Sequence, residues 1–579
     1  MNIGNCSDEE FITVACFPDK VPSIFDCLEN SGEKDFKYGK IAYFDGIDLW
    51  LSQYIDDKTC MDNVFDFGDI VEKKDFAISN LWNSEMFLVI AFDFEKHKWA
   101  RYNRPNRMKA RGRRRRKESI MVEKDTGILE RYTEPLSRRI QEEYAIGPQF
   151  YQGEVKKGLR NSDGTGVLVG VTKVGSVQGY LLQDGQRIPT PGRLYYRGIE
   201  LTDIVEAHRR AGTFGYEEVA YLLVMGYLPT EAELKRFKDI MSQARKLPEG
   251  FTEGMIMRHP SGNMMNELAR SVLSLYSYDA SADDTSIENL LLQSVKLIGC
   301  FPSIVANSYA VKRHYFQGDS LHIHFPVAEL STAENFLRMI RPDTNYTEEE
   351  AHLLDMMLMV HAEHGGGNNS TFVCRAMSSS GTDTYSAIAG AVGSLKGPLH
   401  GGANAKVMEM FRYVKENVDP HDDGSIRDYL VKLLDKEAGD RSGKLYGLGH
   451  AVYTMSDPRA VLLKKYAQHM AEIKGYAEDF ALLQKVEELG IPLVQERRGD
   501  NTPMCANVDM YSGLVYTMLG IPQDVFTPLF ASARIAGWCA NRMEELITCH
   551  RIMRPAYRAV TTHGHYIPMA ERQSHHEAE

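Results

Sequence analysis

The chain has 579 residues, enough for roughly three or four structural units at the usual domain size. Hydrophobic residues make up 43% and charged residues 25% of it, which is typical of a soluble globular protein and excludes a disordered chain. Its nine cysteines are scattered without a CxxC pair, so they favour a reducing compartment over a disulfide framework or a zinc module.

The start of the chain carries no recognisable targeting segment. It lacks a basic stretch followed by an apolar one, and the longest early apolar run, Met86 to Phe92, is too short to span a bilayer. We therefore expect no signal or transit peptide, no membrane contact and a cytoplasmic location.

The net charge of −12 is unevenly distributed. Residues 1–100 hold 9 Lys and Arg against 20 Asp and Glu, whereas ten cations and no acid lie from Arg101 to Lys117. We predict a linker over 101–140, because like charges without an apolar period keep a chain extended. Two alternatives stay open for Arg101 to Lys117: contact with RNA, DNA or another polyanion, and docking onto the acidic residues before it.

Residues 1–100 contain two apolar runs that predict buried strands, from Phe11 to Phe17 and from Met86 to Phe92. The apolar residues from Ile47 to Ile55 fit either a strand or a helix. We predict a small α+β domain of unknown role, acidic and rich in aromatic residues. Its acids form either a solvated face or a partner surface.

The pattern changes after about residue 141. Short β-like pieces with glycine turns run from Val167 to Gly198. Helical patterns dominate beyond Ile199, including an amphipathic one from Tyr216 to Leu223 that ends at Gly226. These patterns predict a large, mainly helical body.

Several familiar motifs are absent from the sequence. It contains neither GxxxxGK followed by Ser or Thr nor GxGxxG, so no P-loop or dinucleotide fingerprint is present. His364 to Gly367 resembles an esterase oxyanion loop, but no serine has glycine at both −2 and +2. His361 to His364 groups metal-binding residue types, yet HExxH and the PCxxC of zinc deaminases are missing.

The segment GPLHGGANAK, from Gly397 to Lys406, places a histidine between a proline and a glycine pair. Apolar residues recur at helical spacing after it, so His400 is predicted at or just before a helix N-terminus. The positive end of the helix dipole disfavours imidazolium and favours a neutral ring that donates a hydrogen bond to developing negative charge. Alternatively, the segment is a turn and His400 only caps the helix.

Further polar residues stand beside glycine or proline or inside apolar sequence: His450, Arg459, Asp509, Arg534 and Arg554. His450 follows a flexible Gly-x-Gly, and Asp509 opens a helix as a candidate base. Arg534 lies in an apolar run where an unpaired guanidinium is costly, so an anionic partner is expected. Each residue taken alone also fits a purely structural role.

Together these segments resemble the signature segments of citrate synthases, in the same order and with similar spacing. The resemblance rests on GPLHGGANAK at 397–406, GLGHAVYTMSDPRA at 447–460, NVDMYSG at 507–513, FASARIAGW at 530–538 and the late Arg554-Pro555. It extends over about residues 141–572 and leaves residues 1–140 outside.

The resemblance implies a mainly α fold of citrate synthase type, with the α+β domain appended at the N-terminus. A large helical domain is expected over 141–400 and 507–579, and a smaller helical domain over 401–506. The two domains are expected to close over a cleft that excludes water.

The resemblance also implies roles for the residues. Asp509 removes a methyl proton from acetyl-CoA, His400 donates a hydrogen bond to the thioester oxygen, and His450 polarises the ketone of oxaloacetate. Oxaloacetate is bound by a further set of residues: His364, Arg459, Arg534 and, from the second subunit of a homodimer, Arg554. No metal and no permanently bound cofactor are expected, and acetyl-CoA is a substrate.

The chain departs from the family pattern at two places. The segment after His364 is one residue longer than in many relatives and lacks an acid. Thr454 stands where many relatives have a basic residue that meets the phosphate of CoA. Candidate CoA-binding residues are therefore drawn from nearby sequence: Lys444, Gly447, Leu448, Gly449, Arg497, Arg498 and Asn507.

The predicted function is a transferase of the tricarboxylic acid cycle that condenses acetyl-CoA with oxaloacetate and hydrolyses citryl-CoA to citrate and CoA. One alternative is a 2-methylcitrate synthase that uses propionyl-CoA, because one methylene changes binding by only about 1–3 kcal/mol. Another is a non-catalytic regulatory protein that binds a polyanion through its N-terminal segments.

Overall fold

A computed structural model divides the chain into two units, Met1–Ala145 and Ile146–Glu579. The structure describes these residues: 11–16, 42–44, 49–51, 88–93, 98–103, 137, 140–142, 144–151, 153, 155–161, 163, 165–183, 186–499, 502–561 and 564–572.

The first unit contains two small antiparallel sheets among its described residues. β1 (Phe11–Cys16) pairs with β4 (Leu88–Asp93), which also pairs with β5 (Lys98–Asn103). β2 (Ala42–Phe44) pairs with β3 (Leu49–Leu51). The two strands predicted from apolar runs are confirmed, and the ambiguous run contains a strand.

β5 extends three residues beyond residue 100, so Arg101 lies in a strand and not in the predicted linker. The rest of the Arg-rich segment, from Arg104 to Lys117, lies outside the described residues. The same holds for the helical part and for most of the acidic residues of the predicted α+β domain.

After two short 3-10 helices, Pro148–Tyr151 and Lys157–Leu159, the second unit forms a β-hairpin. β6 (Gly175–Gln183) and β7 (Gln186–Tyr196) are antiparallel, and the short β8 (Ile199–Glu200) pairs with the end of β7. The hairpin register shifts between Gln178 and Tyr180, which places a bulge at Gly179. The β-like pieces predicted before Gly198 are therefore confirmed as this hairpin.

The remaining described chain is mainly helical, as predicted. Its α-helices are α1 (Leu201–Ala211), α2 (Tyr216–Met225), α3 (Glu231–Ala244), α4 (Met264–Leu275), α5 (Ile287–Lys312), α6 (Thr332–Ile340), α7 (Glu348–His361), α8 (Asn369–Ser378), α9 (Thr384–Lys396), α10 (Ala403–Asn417), α11 (Asp423–Leu434), α12 (Pro458–Lys474), α13 (Ala477–Arg498), α14 (Asp509–Met518) and α15 (Gln523–Thr548). The predicted division into 141–400 with 507–579 and 401–506 stays a prediction.

Helix α15 lies at the centre of the second unit and packs against α2, α5, α7 and α8. Its neighbour α5 is buried without interruption from Leu297 to Ser308. The apolar stretch Ile287–Gln317 is long enough to cross a membrane, but 83% of its most apolar window is buried inside the protein. Burial of this extent is typical of a helix in the core of a protein.

The helix predicted at Tyr216 to Leu223 has the right position but not the amphipathic character. α2 ends directly before Gly226, and all its residues except Glu218 and Met225 are buried. Oε1 of the buried Glu217 carboxylate accepts Nη2 of Arg245 at 3.2 Å and the backbone N–H of Thr332 at 2.7 Å. These partners come from distant segments, so the local pattern could not reveal that the polar face is buried.

Helix ends bring the candidate residues together. α7 begins at a capping box in which Thr347 and Glu350 satisfy each other's backbone N–H groups, and it ends at His361, three residues before His364. α12 begins with Asp457 as its cap and Pro458 as its first residue. His400 precedes α10, and Asp509 opens α14.

Candidate active site

His400 lies in the turn between α9 and α10, three residues before α10 begins. Its Nε2 lies 3.0 Å from Oγ of Ser370 and 3.3 Å from the backbone nitrogen of Ser370, in the first turn of α8. A backbone N–H only donates, so Nε2 is a bare acceptor and the ring proton is on Nδ1. His400 is therefore neutral and has one N–H to offer a substrate.

Burial gives His400 a cause of neutrality that the sequence did not reveal. Burial, followed by the positive charge of Arg534, lowers the pKa of His400 to about 4. The dipole of α10 was the predicted cause. The ring is instead fixed from α8, where Ser370 also accepts a hydrogen bond from Nε1 of Trp538 at 3.2 Å.

His450 lies in the loop that precedes α12. Its Nδ1 accepts hydrogen bonds from the backbone N–H groups of Val452 and Tyr453, both at 3.1 Å. The proton of the neutral ring is therefore on Nε2. Burial, followed by the charge of Arg459, lowers the pKa of His450 to about 4. The loop thus presents a single N–H donor.

Asp509 is the first residue of α14, and its backbone N–H donates to Oδ1 of Asn507 at 3.0 Å. Burial raises the pKa of its carboxyl group to about 6, although the positive charge of Arg459 opposes the rise. Such a carboxylate is a stronger base than an ordinary aspartate and is still ionised at pH 7.

The guanidinium of Arg459 is buried beside the cap of its own helix. Its Nε and Nη2 donate to the two carboxylate oxygens of Asp457, at 3.0 and 2.7 Å. This ion pair raises the pKa of Arg459 despite its burial. The residue therefore supplies a fixed positive charge close to both His450 and Asp509.

Arg534 is fully buried in the middle of α15 and only partly satisfied. Its Nε donates to the carbonyl of His361 at 2.6 Å, but Nη1 and Nη2 have no hydrogen-bond partner among the described residues. Burial lowers its pKa to about 10, so the group stays charged at neutral pH. Two adjacent free donors on a buried cation match the two oxygens of a carboxylate.

His364 lies in the turn between α7 and α8, and its ring stands edge-on to that of His450 with the centroids 5.1 Å apart. Its Nε2 is buried without a partner in the part of the chain that the structure describes. Burial, followed by the charge of Arg459, lowers its pKa well below the usual value. The unusual sequence after His364 therefore does not separate it from the other candidates.

Two buried polar residues that the sequence did not single out support this turn. Oε1 of Glu363 accepts the backbone N–H of Gly365 at 2.5 Å, and Oε2 accepts Nδ2 of Asn541 at 2.9 Å. Asn541 in turn accepts Nε of Arg375 at 2.8 Å. No local pattern indicates this network, because Asn541 is 178 residues from Glu363.

Arg554 lies apart from this cluster. It is exposed on the extended segment that follows α15, whereas Arg534 and Arg459 are buried. The neighbouring Met553 donates its backbone N–H to Oγ of Ser379 at 3.0 Å. Among the described residues of one chain, Arg554 forms no hydrogen bond or ion pair with the other candidate residues.

The candidate CoA-binding residues fall into two groups. Gly447, Leu448, Gly449 and Asn507 form a bridge between the loop of His450 and the start of α14. Gly449 donates its N–H to Cys505 at 2.8 Å, and Nδ2 of Asn507 donates to the carbonyl of Gly449 at 2.8 Å. This bridge connects His450 to Asp509.

The three basic candidates are more scattered. Lys444 is exposed and lines a small pocket with Lys406, Asp440 and other residues. Arg497 forms an ion pair with Asp435, and Arg498 is exposed at the end of α13. The ion pair of Arg497 competes with a role in phosphate binding.

The cluster combines four chemical functions. Asp509 can act as a base, and Nδ1 of His400 and Nε2 of His450 can each donate to a carbonyl oxygen. Among the described residues Arg534 has two unpartnered nitrogens that can bind a carboxylate. A base can remove a proton next to a carbonyl while an N–H group that donates to the carbonyl oxygen stabilises the forming enolate. A second N–H donor can activate another carbonyl for attack. Fold and site together define a mainly helical protein with a buried set of groups that suits carbon–carbon bond chemistry.

Comparison with known proteins gives the family. Residues 163–556 match the family model described as citrate synthase, C-terminal domain. A citrate synthase from Synechocystis sp. is 34% identical over 391 residues, which cover 66% of this chain and 89% of that one. A 2-methylcitrate synthase from Shewanella oneidensis is 32% identical over 384 residues, which cover 66% and 92% of the two chains.

A solved structure agrees with these relatives. It is the ternary complex of carboxymethyl coenzyme A and oxaloacetate with citrate synthase from Thermoplasma acidophilum. Its TM-score is 0.59 at 26% identity, and the match covers 72% of this chain and 100% of that chain. The chain belongs to the citrate synthase family.

Proposed function

We propose that the chain condenses acetyl-CoA with oxaloacetate and hydrolyses the resulting citryl-CoA to citrate and CoA. The observation that carries the proposal is the buried guanidinium of Arg534 with two free donors, because a bound carboxylate removes the cost of leaving them unpaired. The relative from Thermoplasma acidophilum was solved with oxaloacetate and a CoA derivative, which supports the same substrates here.

The first chemical step is enolisation of acetyl-CoA. The Asp509 carboxylate takes a proton from the methyl group while Nδ1–H of His400 donates to the thioester oxygen. A thioester methyl is a weak carbon acid, so the base alone is insufficient and the donor has to strengthen as charge develops. Because His400 is held neutral, it provides this donor at physiological pH.

The second step joins the two carbons. Nε2–H of His450 polarises the ketone of oxaloacetate, the enol carbon attacks the ketone carbon, and His450 transfers its proton to the new alkoxide. Arg534, Arg459 and His364 hold the dicarboxylate in place. Water then attacks the citryl thioester, so the carbon–sulfur bond breaks and CoA leaves as a thiol.

The test is the release of free thiol when the purified protein is mixed with both substrates. Asp509→Ala should lower kcat by about 10²–10⁴-fold, the range for loss of a general base. Asp239→Ala is the matched control, because Asp239 is exposed and forms a surface ion pair with Lys235 on α3. Absence of thiol release from the unmodified protein would overturn the proposal.

The alternative substrate is propionyl-CoA, and the relative from Shewanella oneidensis is the observation in its favour. The same three residues serve both acyl groups, so they do not discriminate between them. The ratio of kcat/KM values for acetyl-CoA and propionyl-CoA decides which of the two is the preferred substrate. A strong preference for propionyl-CoA would make the protein a 2-methylcitrate synthase.

A homodimer in which Arg554 reaches the partner's site completes the proposed oxaloacetate receptor. The support is the exposure of Arg554 on an extended segment. Mixed dimers of Arg554→Ala and Asp509→Ala subunits test it, because each mixed dimer then has one intact site. After unfolding and refolding together, the mixture should regain about a quarter of wild-type activity. No recovery would place Arg554 outside the partner's site.

CoA is proposed to bind along the bridge of Gly447, Leu448, Gly449 and Asn507, with its phosphates near Lys444 and Arg498. Lys444→Ala and Arg498→Ala should each raise KM for acetyl-CoA while leaving KM for oxaloacetate unchanged. Arg497→Ala should have a smaller effect, because Asp435 already engages this side chain. An unchanged KM for acetyl-CoA in the first two variants would remove them from the site.

The roles proposed for the N-terminal segments are regulatory. The cations from Arg101 to Lys117 are proposed to contact a polyanion. Separately, the enzyme is proposed to serve the tricarboxylic acid cycle and to be located in the cytoplasm. Deleting residues 1–120 should weaken salt-sensitive polyanion binding and leave thiol release intact. Unchanged binding would refute the contact, and fluorescence microscopy of a tagged chain would test the location.

A further inference from the structure

The β6–β7 hairpin touches the backbone that follows His450. The contact is made at two glycines, Gly179 on β6 and Gly192 on β7, and at each of them a side chain would collide with this backbone. Glycine inside a strand often marks a place where another backbone approaches closely. The hairpin and the loop are therefore fitted to each other at the level of main-chain atoms.

Gly179 occupies the bulge of the hairpin. A Cβ at this position would lie 2.5 Å from the carbonyl oxygen of Val452 and 3.0 Å from Cα of Tyr453. Both neighbours are backbone atoms, so they are unable to rotate away as the end of a flexible side chain does. Any larger residue at position 179 has to displace the loop itself.

Gly192 makes the second contact, further along the same loop. A Cβ there would overlap the carbonyl oxygen of Ser456 and lie 2.6 Å from Cδ1 of Tyr453. Its backbone N–H donates to Oγ of Ser456 at 3.1 Å. This contact adds a hydrogen bond between the hairpin and the loop.

The touched backbone is the same one that fixes His450. The N–H groups of Val452 and Tyr453 are the donors that leave the proton of His450 on Nε2. The Tyr453 ring also stacks on the imidazole, with the centroids 4.6 Å apart and 25° between the planes. Three residues after Ser456, the chain reaches Arg459.

We propose that Gly179 and Gly192 are positioning residues, which hold the loop so that Nε2–H of His450 points at the ketone of the bound substrate. The inference rests on the proposed condensation of oxaloacetate. Both glycines act through the backbone of residues 452–456, which they contact directly. A displacement of about 1 Å at a reacting group costs on the order of 100-fold in rate.

The test compares Gly179→Ala and Gly192→Ala with Gly170→Ala in the full chain. Gly170 has open space where its Cβ would be, so its variant should keep wild-type kinetics. The other two variants should lose about 100-fold in kcat/KM for oxaloacetate, while KM for acetyl-CoA changes by less than about twofold.

A second readout separates positioning from a loss of stability. The infrared C=O stretch of the oxaloacetate ketone, measured with the site saturated, reports how strongly His450 polarises it. We expect the band of both Ala variants to move back toward the frequency of free oxaloacetate. Wild-type kinetics, or a lowered Tm with an unchanged band, would overturn the inference.

A third variant covers the case in which both Ala variants fail to fold. Ser456→Ala removes the hydrogen bond to Gly192 without adding volume, and we expect kcat/KM for oxaloacetate to fall by about 2–10-fold. No change would then overturn the inference. An unmodified protein that releases no thiol would instead overturn the proposed function, so the two failures are distinguishable.

Discussion

Asp457 holds Arg459 with two parallel hydrogen bonds, from Nε to Oδ1 at 3.0 Å and from Nη2 to Oδ2 at 2.7 Å. The same carboxylate caps α12 by accepting the backbone N–H of Arg459, and it accepts the N–H of Val508 at 3.2 Å. Val508 directly precedes Asp509. One carboxylate therefore connects the proposed substrate-binding arginine to the proposed base.

Asp457→Asn should therefore affect both stability and substrate binding. Breaking a buried ion pair at one partner costs about 3–5 kcal/mol in the free energy of unfolding, because the other charge stays buried. We expect this loss in denaturant unfolding, together with a higher KM for oxaloacetate. The control is Asp479→Asn, whose partner Lys415 is 56% exposed, so that the pair contributes about 0–1 kcal/mol. Equal losses in the two variants would contradict the central role of Asp457.

Activity should depend on pH through Asp509. Burial raises its pKa to about 6, so the base form is lost as the pH falls below this value. His400 and His450, with pKa values lowered to about 4, stay neutral over the same interval. We expect kcat/KM, measured by thiol release, to be flat above pH 7 and to fall about tenfold per pH unit below 6. A rate that stays flat down to pH 5 would assign the base to another group.

The contribution of Asp509 to stability should fall as the pH rises, whereas its contribution to activity should increase. Its folded-state pKa of about 6 lies above the value of about 3.9 for an unfolded aspartate. The folded state therefore binds this proton more tightly, and the stability that it contributes below pH 4 is lost as the pH rises through 6. Asp509→Asn should raise Tm at pH 8, and the difference should vanish near pH 4. A lower Tm at pH 8 would show that the carboxylate is stabilising.

Removing His400 should affect chemistry more than binding. His400→Ala should lower kcat by about 10²–10⁴-fold and leave the Kd for oxaloacetate nearly unchanged, because its N–H serves the thioester. Binding is measured by calorimetry in the absence of acetyl-CoA. His421→Ala, at an exposed position before α11, is the control. A variant that loses mainly oxaloacetate binding would contradict the assigned role.

Oxaloacetate should stabilise the protein through Arg534. At 100 times Kd, a ligand that binds only the folded state adds about 2.7 kcal/mol, which appears as a rise in Tm. Arg534→Lys keeps the charge but loses the planar fork, so the rise should shrink or disappear. Arg412→Lys, in an exposed pair with Glu416, should keep the full rise. An undiminished rise in Arg534→Lys would place the carboxylate elsewhere.

Local sequence patterns predicted the helices and the position of His400 well. Spacing placed His400 just before a helix, and the helix begins three residues later. The cause of its neutrality was beyond that pattern, because burial and Arg534 come from the packed structure. The hydrogen-bond partner of His400 is Ser370, 30 residues away and on another helix.

Long-range contacts account for most of what the sequence did not reveal. The apolar surroundings of Arg534 correctly predicted a costly buried charge, and two of its nitrogens have no hydrogen-bond partner within the described part of the chain. No local signal pointed to Glu363 and Asn541, whose pairing depends on the packing of α7 against α15. Residue type and spacing predict chemistry well, whereas they predict supporting contacts poorly because these join distant segments.

Helix α15 carries Arg534, Trp538 and Asn541 at intervals of four and three residues, which puts all three on one face. Arg534 belongs to the proposed carboxylate receptor, Trp538 donates to Ser370 next to His400, and Asn541 donates to Glu363 next to His364. One extra residue between Arg534 and Trp538 would rotate them apart by about 100°. The lengths of the connecting loops can therefore vary, but the rotation of each residue around the axis of this helix is fixed, since it aligns the proposed enolisation donor with the proposed carboxylate receptor.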